Sequence, residues 1–451
     1  MSLTEPDEVR KETDMGKPGS GPWPYTVLPE PKLSSELARL AGARIIGNAH
    51  CVSFQPNGIP EYWNQDRYVV RDISMPVGES WKLRAVFDGH LGHELVDYTA
   101  SNLPVLIQSA LESHLSSSKS DLQRNSEEIS SLLKQCIVSF DESILGDLAS
   151  FFPHARSGGI SDEDIKEIVN NVSGSTSCVS GSTSTNYARI LRSLQGATAL
   201  IVLINPESDE LWVANLGDCQ AVLGVQNSSG EWDAVSISTS HDCWDDEEVD
   251  RLKKEHPGES EVVLRHRVLG AMAVTRALGD YHYKLSRIYT DRVFLNIEPS
   301  VWPSEDHEWI RSVMQRNLTP PYLSNSPDVR YLNLNSSRPI SNTAADVSNT
   351  GSLSRPKACL MMCSDGLVNL YDGELDWDPE NMFEHWIRVV ASESSSSEDQ
   401  MLKASGIKSN HALRLLRDAL GGRDEEKVSS MMTVEMEERW MDDTTVIVEF
   451  F

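Results

Sequence analysis

The chain has 451 residues, 39% of them apolar, with a formal net charge of −28 and an isoelectric point near 4.8. That charge argues against a nucleic-acid partner or an anionic membrane surface, and no apolar run approaches the length of a membrane span. Seven scattered cysteines without a CxxC pair read as reduced thiols, not as a disulfide framework or a zinc site.

Residues 1–40 are polar and rich in Pro and Gly, and predict a flexible N-terminal tail. The acidic start lacks a secretory apolar core and an arginine-rich transit character, which predicts a soluble intracellular protein. Strand patterns follow at 44–54, 67–70 and 81–87. Helical patterns follow at 93–116 and 126–148; in the second, Ile129, Leu132, Leu133, Cys136, Ile137 and Phe140 recur at helical spacing. Residues 157–186 are rich in Ser, Gly and Thr around a short helix, with Ser161 and Asp164 as its capping pair and a mobile loop from Ser173 to Thr185.

Strands are then expected at 197–204, 210–215 and 220–225, and a charged helix at 245–255. Residues 335–356, rich in Ser, Asn and Thr, read as an insertion loop before a strand at 357–363. Helices are expected near 380–391 and 408–420 around a polar loop at 392–399, and the chain closes with a strand from Thr444 to Phe450. Strands at both ends and in the middle, with helices between, predict one α+β domain over 41–451.

The chemistry lies in acids at strand ends. Phe87-Asp88-Gly89-His90 closes one strand, Leu216-Gly217-Asp218 another and Cys363-Ser364-Asp365-Gly366 a third. Asp442-Asp443 opens the last strand, and Asp66 precedes Arg67. Any one of these could be a solvated turn or a helix cap. Five together suit a hard divalent cation, which prefers oxygen ligands and keeps several waters. His90 beside them could exchange a proton.

These motifs resemble the metal-dependent type 2C serine/threonine protein phosphatases. The likeness runs in order from about residue 40: DGHLG at 88–92, GATA at 196–199, ANLGD at 214–218, SHD at 240–242, LGAMAVTRALGD at 269–280, SDG at 364–366 and DDTTVIV at 442–448. Two further segments, 251–257 and 319–323, resemble the pyruvate dehydrogenase phosphatase branch. The resemblance implies a four-layer α/β/β/α sandwich of two antiparallel sheets flanked by helices. It also implies two Mg²⁺ or Mn²⁺ ions, with a third, weaker site. Asp88 matches the bridging carboxylate and Gly89 a backbone-carbonyl ligand. Asp66 belongs to the metal set, Asp365 and Asp442 match its other aspartates, and Asp218 matches the third-metal position. His90 matches the general acid. The implied reaction is hydrolysis of phosphoserine or phosphothreonine in a phosphoprotein by metal-activated water. The branch points to a pyruvate dehydrogenase-like substrate in the mitochondrial matrix; the missing presequence points to the cytoplasm.

Two departures stand out. The family's Glu-Asp is Gln65-Asp66 here, and the preceding residues lack the arginine with which many members grip phosphate. Arg276 reads as a structural partner for a carboxylate, His241-Asp242 as a turn after a strand, and His93, His266, His282 and His411 as surface or packing residues. A haloacid-dehalogenase-type mechanism fits poorly: the nearest string, Asp162-Glu163-Asp164, lies in a helical pattern. The alternative is a catalytically weakened family member acting as a regulatory binding protein. Retention of Asp88, Asp365 and Asp442 favours an enzyme.

Overall fold

The apolar runs fold as antiparallel strands, and the segments between them supply the helices. A computed structural model of the chain describes residues 9–17, 19–58, 63–75, 80–117, 126–152, 159–173, 175–176, 183–334, 357–371, 379–392 and 409–451. They form two compact units interleaved along the sequence, one from Met1–Val70, Gln220–Ile237 and Asn335–Phe451, the other from Arg71–Cys219 and Ser238–Leu334. The expected α+β class with antiparallel sheets is what the structure shows. Each unit carries a sheet faced by helices.

In the first unit six strands lie in the order Trp232–Ser236, Gln220–Gln226, Ala358–Cys363, Thr444–Phe450, Ala49–Phe54 and Arg44–Ile46. Every residue of Ala358–Cys363 is buried, which explains its unbroken apolar run. The helix Pro379–Ala391 packs on Trp232–Ser236, and the helix His411–Ala419 packs on Ala49–Phe54 and Thr444–Phe450. Met361, Val446, Val448, Trp386, Ile387 and Leu416 meet in the core between them.

The polar N-terminal stretch is not a tail along its described length. Val9–Thr13 pairs with Trp23–Val27, and Lys32–Leu40 is a helix that buries Leu33 and Leu37 in the same core. Apolar residues at positions 28, 33 and 37 carry that docking, and the Pro/Gly content around them masks it. Arg417 anchors the helix by donating to Glu30 and Ser34.

In the second unit the sheet order is Asp328–Asn333, Glu210–Leu216, Ala199–Asn205, Ser80–Phe87 and the part of the strand Arg67–Ser74 from Arg71 on. The helices Glu94–Ser117 and Ser126–Phe151 pack on it and on each other. Trp81 and Trp212, both buried, stack at 5.5 Å, and the Trp212 indole N–H donates to the Ser126 carbonyl. Truncation of such a side chain costs about 3–5 kcal/mol. Ser161 caps the helix Asp162–Val169 by accepting from the Asp164 N–H, as its sequence predicts.

Within the expected loop near 173–186, Ser175–Thr176 pairs with Thr183–Ser184. Residues 177–182 of that loop, the insertion loop at 335–356 and residues 393–399 of the polar loop lie outside the described residues. Among the described residues no helix is long and apolar enough to cross a membrane. Burial pushes the Cys136 thiol up to about 11 and the Cys243 thiol up to about 12, so neither is a thiolate at neutral pH.

Candidate active site

The sequence-predicted residues fall into two groups, one in each unit. In the second unit, Asp88 follows the strand Ser80–Phe87, and three two-residue strands make a small sheet: Gly89–His90, Gly196–Ala197 and Leu278–Gly279. Gly196 faces His90 on one side and Gly279 on the other. A Cβ at position 196 would overlap the His90 ring and the Asp280 carboxylate, so only glycine lets these two side chains meet there.

His90 Nε2 lies 3.0 Å from both carboxylate oxygens of Asp280, which is fully buried. Asp280 sits in the left-handed region at φ 52°, an uncommon and costly conformation outside glycine. Its N–H donates to the Gln195 carbonyl, and the Gly279 N–H donates to Asp141. Asp141 is itself buried, with Tyr281 and Lys284 as further donors. Burial and the Asp141 charge push the Tyr281 phenol well up, so it stays a donor.

Thr198 ties Asp88 to the Gly217–Asp218 turn. The Asp88 N–H donates to Thr198 Oγ1, the Thr198 N–H donates to the Asp88 carbonyl, and Thr198 Oγ1 lies 3.1 Å from Cys219 Sγ. The neighbouring Asp218 is half-buried. His241 is fully buried and clamps Gly217 twice: its Nδ1 accepts from the Gly217 N–H and its own N–H donates to the Gly217 carbonyl. His241 is therefore more than the turn residue its sequence suggests. Its Nε2–H donates to Asp328, which also takes Arg276. Asp328 is held at about 2, mainly by the His241 hydrogen bond and then by Arg276. Arg276 bridges Asp328 and the buried Glu248, the structural role expected of it. Arg276, Arg251 and Thr275 hold the Glu248 carboxyl far below its usual range against the opposing effect of burial.

In the first unit, Asp66, Asp365 and Asp443 lie about the ends of the strands Ala358–Cys363 and Thr444–Phe450. Ser364 Oγ donates to Asp66 and accepts from the Thr445 N–H. Gly366 permits the approach, since a Cβ there would overlap the Asp443 carbonyl. Asp443 accepts from Gln55 Nε2, the Gln65 N–H and Arg439. Burial and then the Asp443 charge raise the Asp66 carboxyl well above its usual range, with a smaller contribution from Asp365. Burial raises Asp443, against Arg439.

Asp442, the sequence-predicted ligand, is exposed and bonded to Arg439, while its neighbour Asp443 is buried with Asp66. Both acids precede the strand Thr444–Phe450, and the sequence pair alone does not tell which of them is buried. Asp280 is the other residue that the sequence reading left without a role. It lies 190 positions from His90, and its only local signal is an aspartate following a glycine at a motif end.

Among the described residues no group of three or more His, Cys, Asp or Glu side chains is assembled as a metal site. The donor chemistry nevertheless fits a hard cation. Asp66 Oδ1 is buried without a hydrogen-bond partner among the described residues, beside a second buried carboxyl, Asp443, whose charge works against its ionisation. Burying like charges this way is unfavourable unless a positive charge joins them.

Residues 175–374 match the family model for protein phosphatase 2C. That segment of the chain is similar to protein phosphatase 2C. It is 28% identical over 275 residues to a protein phosphatase 2C homolog of Schizosaccharomyces pombe, covering 58% of this chain and 54% of the homolog. It is 30% identical over 286 residues to the human pyruvate dehydrogenase (acetyl-transferring) phosphatase 2, mitochondrial, covering 57% of this chain and 48% of that protein. The solved serine-threonine phosphatase 2C of Toxoplasma gondii aligns with 91% of this chain and 96% of its own, at 14% identity and a TM-score of 0.48. The chain thus spans about half the length of these two curated relatives. The matched stretch contains Gly196, Asp218, His241, Arg276, Asp280 and Asp365.

Proposed function

We propose that this chain hydrolyses phosphoserine and phosphothreonine monoesters in proteins, in a reaction that depends on Mg²⁺ or Mn²⁺. The pair of buried, cation-seeking carboxyls in the first unit carries the reading. Asp66, Asp88, Gly89, Asp218, Asp365 and Asp442 are the proposed metal ligands, with Asp443 beside Asp66 as an added candidate. When bound, two such cations lower the pKa of a water and offset charge on the phosphoryl oxygens.

The chain's own residues supply position and a proton. Ser364 and Gln65 hold Asp66 and Asp443 by hydrogen bonds. Thr198 fixes Asp88, and His241 fixes the turn that carries Asp218. Asp280 takes the Nε2–H of His90, so the proton for the departing serine or threonine oxygen comes from Nδ1. A basic alkoxide leaves slowly without that proton. The mitochondrial relatives support a phosphorylated pyruvate dehydrogenase-like substrate and a mitochondrial location for this chain.

The test is phosphate release by the full chain from phosphoserine peptides, with Mn²⁺, with Mg²⁺ and with chelator. Release that requires either metal supports the proposal; no release under any condition, with metal bound, supports a regulatory binding protein instead.

A further inference from the structure

Beside the proposed metal ligands of the first unit stands a positive charge that the chain itself supplies. Arg439 precedes Asp442 by three residues and Asp443 by four, in the segment before the strand Thr444–Phe450. One nitrogen of its guanidinium, Nη2, lies 2.7 Å from Asp442 Oδ1 and 2.8 Å from Asp443 Oδ1. Its Nε–H donates to the Met441 carbonyl at 3.1 Å, which holds the group against the backbone just ahead of the two acids. The Trp440 indole N–H donates to the Met431 carbonyl and ties the intervening residue to the helix Glu425–Thr433.

The two pairs differ in environment. The Asp442 side chain is 45% exposed, so its pair with Arg439 is open to water and screened. The Asp443 side chain is 3% exposed, and its other donors, Gln55 Nε2 and the Gln65 N–H, carry no charge. Arg439 therefore brings a cation into contact with a buried carboxylate that has Asp66 beside it. Arg67 meets the same cluster differently, through Nη1 to the backbone carbonyls of Asn64 and Asp66. The exposed Glu437 and Glu438 precede Arg439, and its ion pairs run past them to Asp442 and Asp443.

A guanidinium and a dication drawn to the same carboxylates repel each other. An arginine keeps its charge at any ordinary pH, so loss of a proton cannot relieve the conflict. Rotation of the side chain can, because it is 29% exposed and has solvent to turn into.

We propose that Arg439 is the resident counter-ion of the acid cluster. It neutralises Asp442 and Asp443 until a dication outcompetes it, and so sets the metal concentration at which the site fills. The proposal rests on the metal-dependent reading above. It has two consequences of opposite sign: removing the charge weakens the fold without metal and tightens the grip on metal. A merely structural arginine would give only the first.

The experiment uses the full chain and Mn²⁺ as the probe. Calorimetric titration should show Mn²⁺ bound about tenfold more tightly by Arg439→Gln than by wild type. Arg439→Lys keeps the charge without the planar fork and should bind as wild type does. Arg388→Gln, which removes an exposed arginine on the helix Pro379–Ala391, should change nothing. In thermal unfolding, Arg439→Gln should melt below wild type in chelator and gain more than wild type from added Mn²⁺. If Arg439→Gln does not fold, Arg439→Met, which keeps the apolar stem, takes its place. Unchanged or weaker Mn²⁺ binding in the neutral variant, or equal tightening in Arg439→Lys or Arg388→Gln, would overturn the proposal. Binding of equal strength by wild type and the neutral variant removes this role of Arg439 alone; no Mn²⁺ binding by either removes the metal-dependent reading as well.

Discussion

Acid should destabilise the second unit through one buried histidine. His282 is 3% exposed and lies among Tyr283, Phe294 and Trp302, with ring centroids 4.4, 6.5 and 5.4 Å away. Burial lowers its pKa from 6.5 to about 4; His90 adds to the lowering and Asp280 opposes it. The unfolded chain therefore binds a proton at His282 below about pH 6.5, while the folded chain does so only near 4. Wherever the unfolded state binds more protons, stability falls as pH falls. The gap from 6.5 to about 4, at about 1.4 kcal/mol per pH unit, comes to about 3 kcal/mol. His282→Gln keeps a polar side chain that does not titrate. Its stability relative to wild type should be lowest at pH 7 and should recover by about 3 kcal/mol between pH 6.5 and 4. Asp66 and Asp443, whose raised pKa values act in the opposite direction, are present in both proteins and cancel in the difference. Urea unfolding of both proteins at constant ionic strength from about pH 7 to about pH 4 measures it. A difference that stays constant over that range would refute the reasoning.

Three further outcomes follow from the candidate site. His90→Ala should lower turnover of phosphoserine peptides by roughly 10²–10⁴-fold and of para-nitrophenyl phosphate far less, because nitrophenolate leaves without a proton; parallel kinetics on the two substrates check this. Gly196→Ala should cost about 1–3 kcal/mol in thermal or urea unfolding and reproduce the same substrate-dependent loss, since its Cβ would separate His90 from Asp280. Gln65→Glu should tighten Mn²⁺ binding by about 10–100-fold in calorimetric titration, because it adds a carboxylate beside Asp66 and Asp443.

The elements that could be read from the sequence were those with a local signature. The helical spacing of Ile129, Leu133, Ile137 and Phe140 survives as the buried face of Ser126–Phe151, and the Ser161 cap is local by nature. The role of Arg276 was legible because a largely buried arginine needs a carboxylate partner. Pairings over long separations were not legible. His90 with Asp280, His241 with Gly217 and Asp328, and Asp66 with Ser364 and Asp443 depend on strand registers that no local pattern encodes. The N-terminal stretch misled for a related reason: Leu33 and Leu37 become core residues against segments far away in sequence, such as the helix Glu425–Thr433.

The most direct test of the central claim is phosphate release from a phosphoserine peptide by the full chain and by Asp365→Asn, titrated with Mn²⁺. Loss of one carboxylate should abolish most release by the variant at limiting metal, restore it only partly at millimolar Mn²⁺, and leave the circular dichroism of the fold unchanged. Wild-type turnover with wild-type metal dependence in Asp365→Asn, or release by the native chain that survives complete chelation, would contradict it.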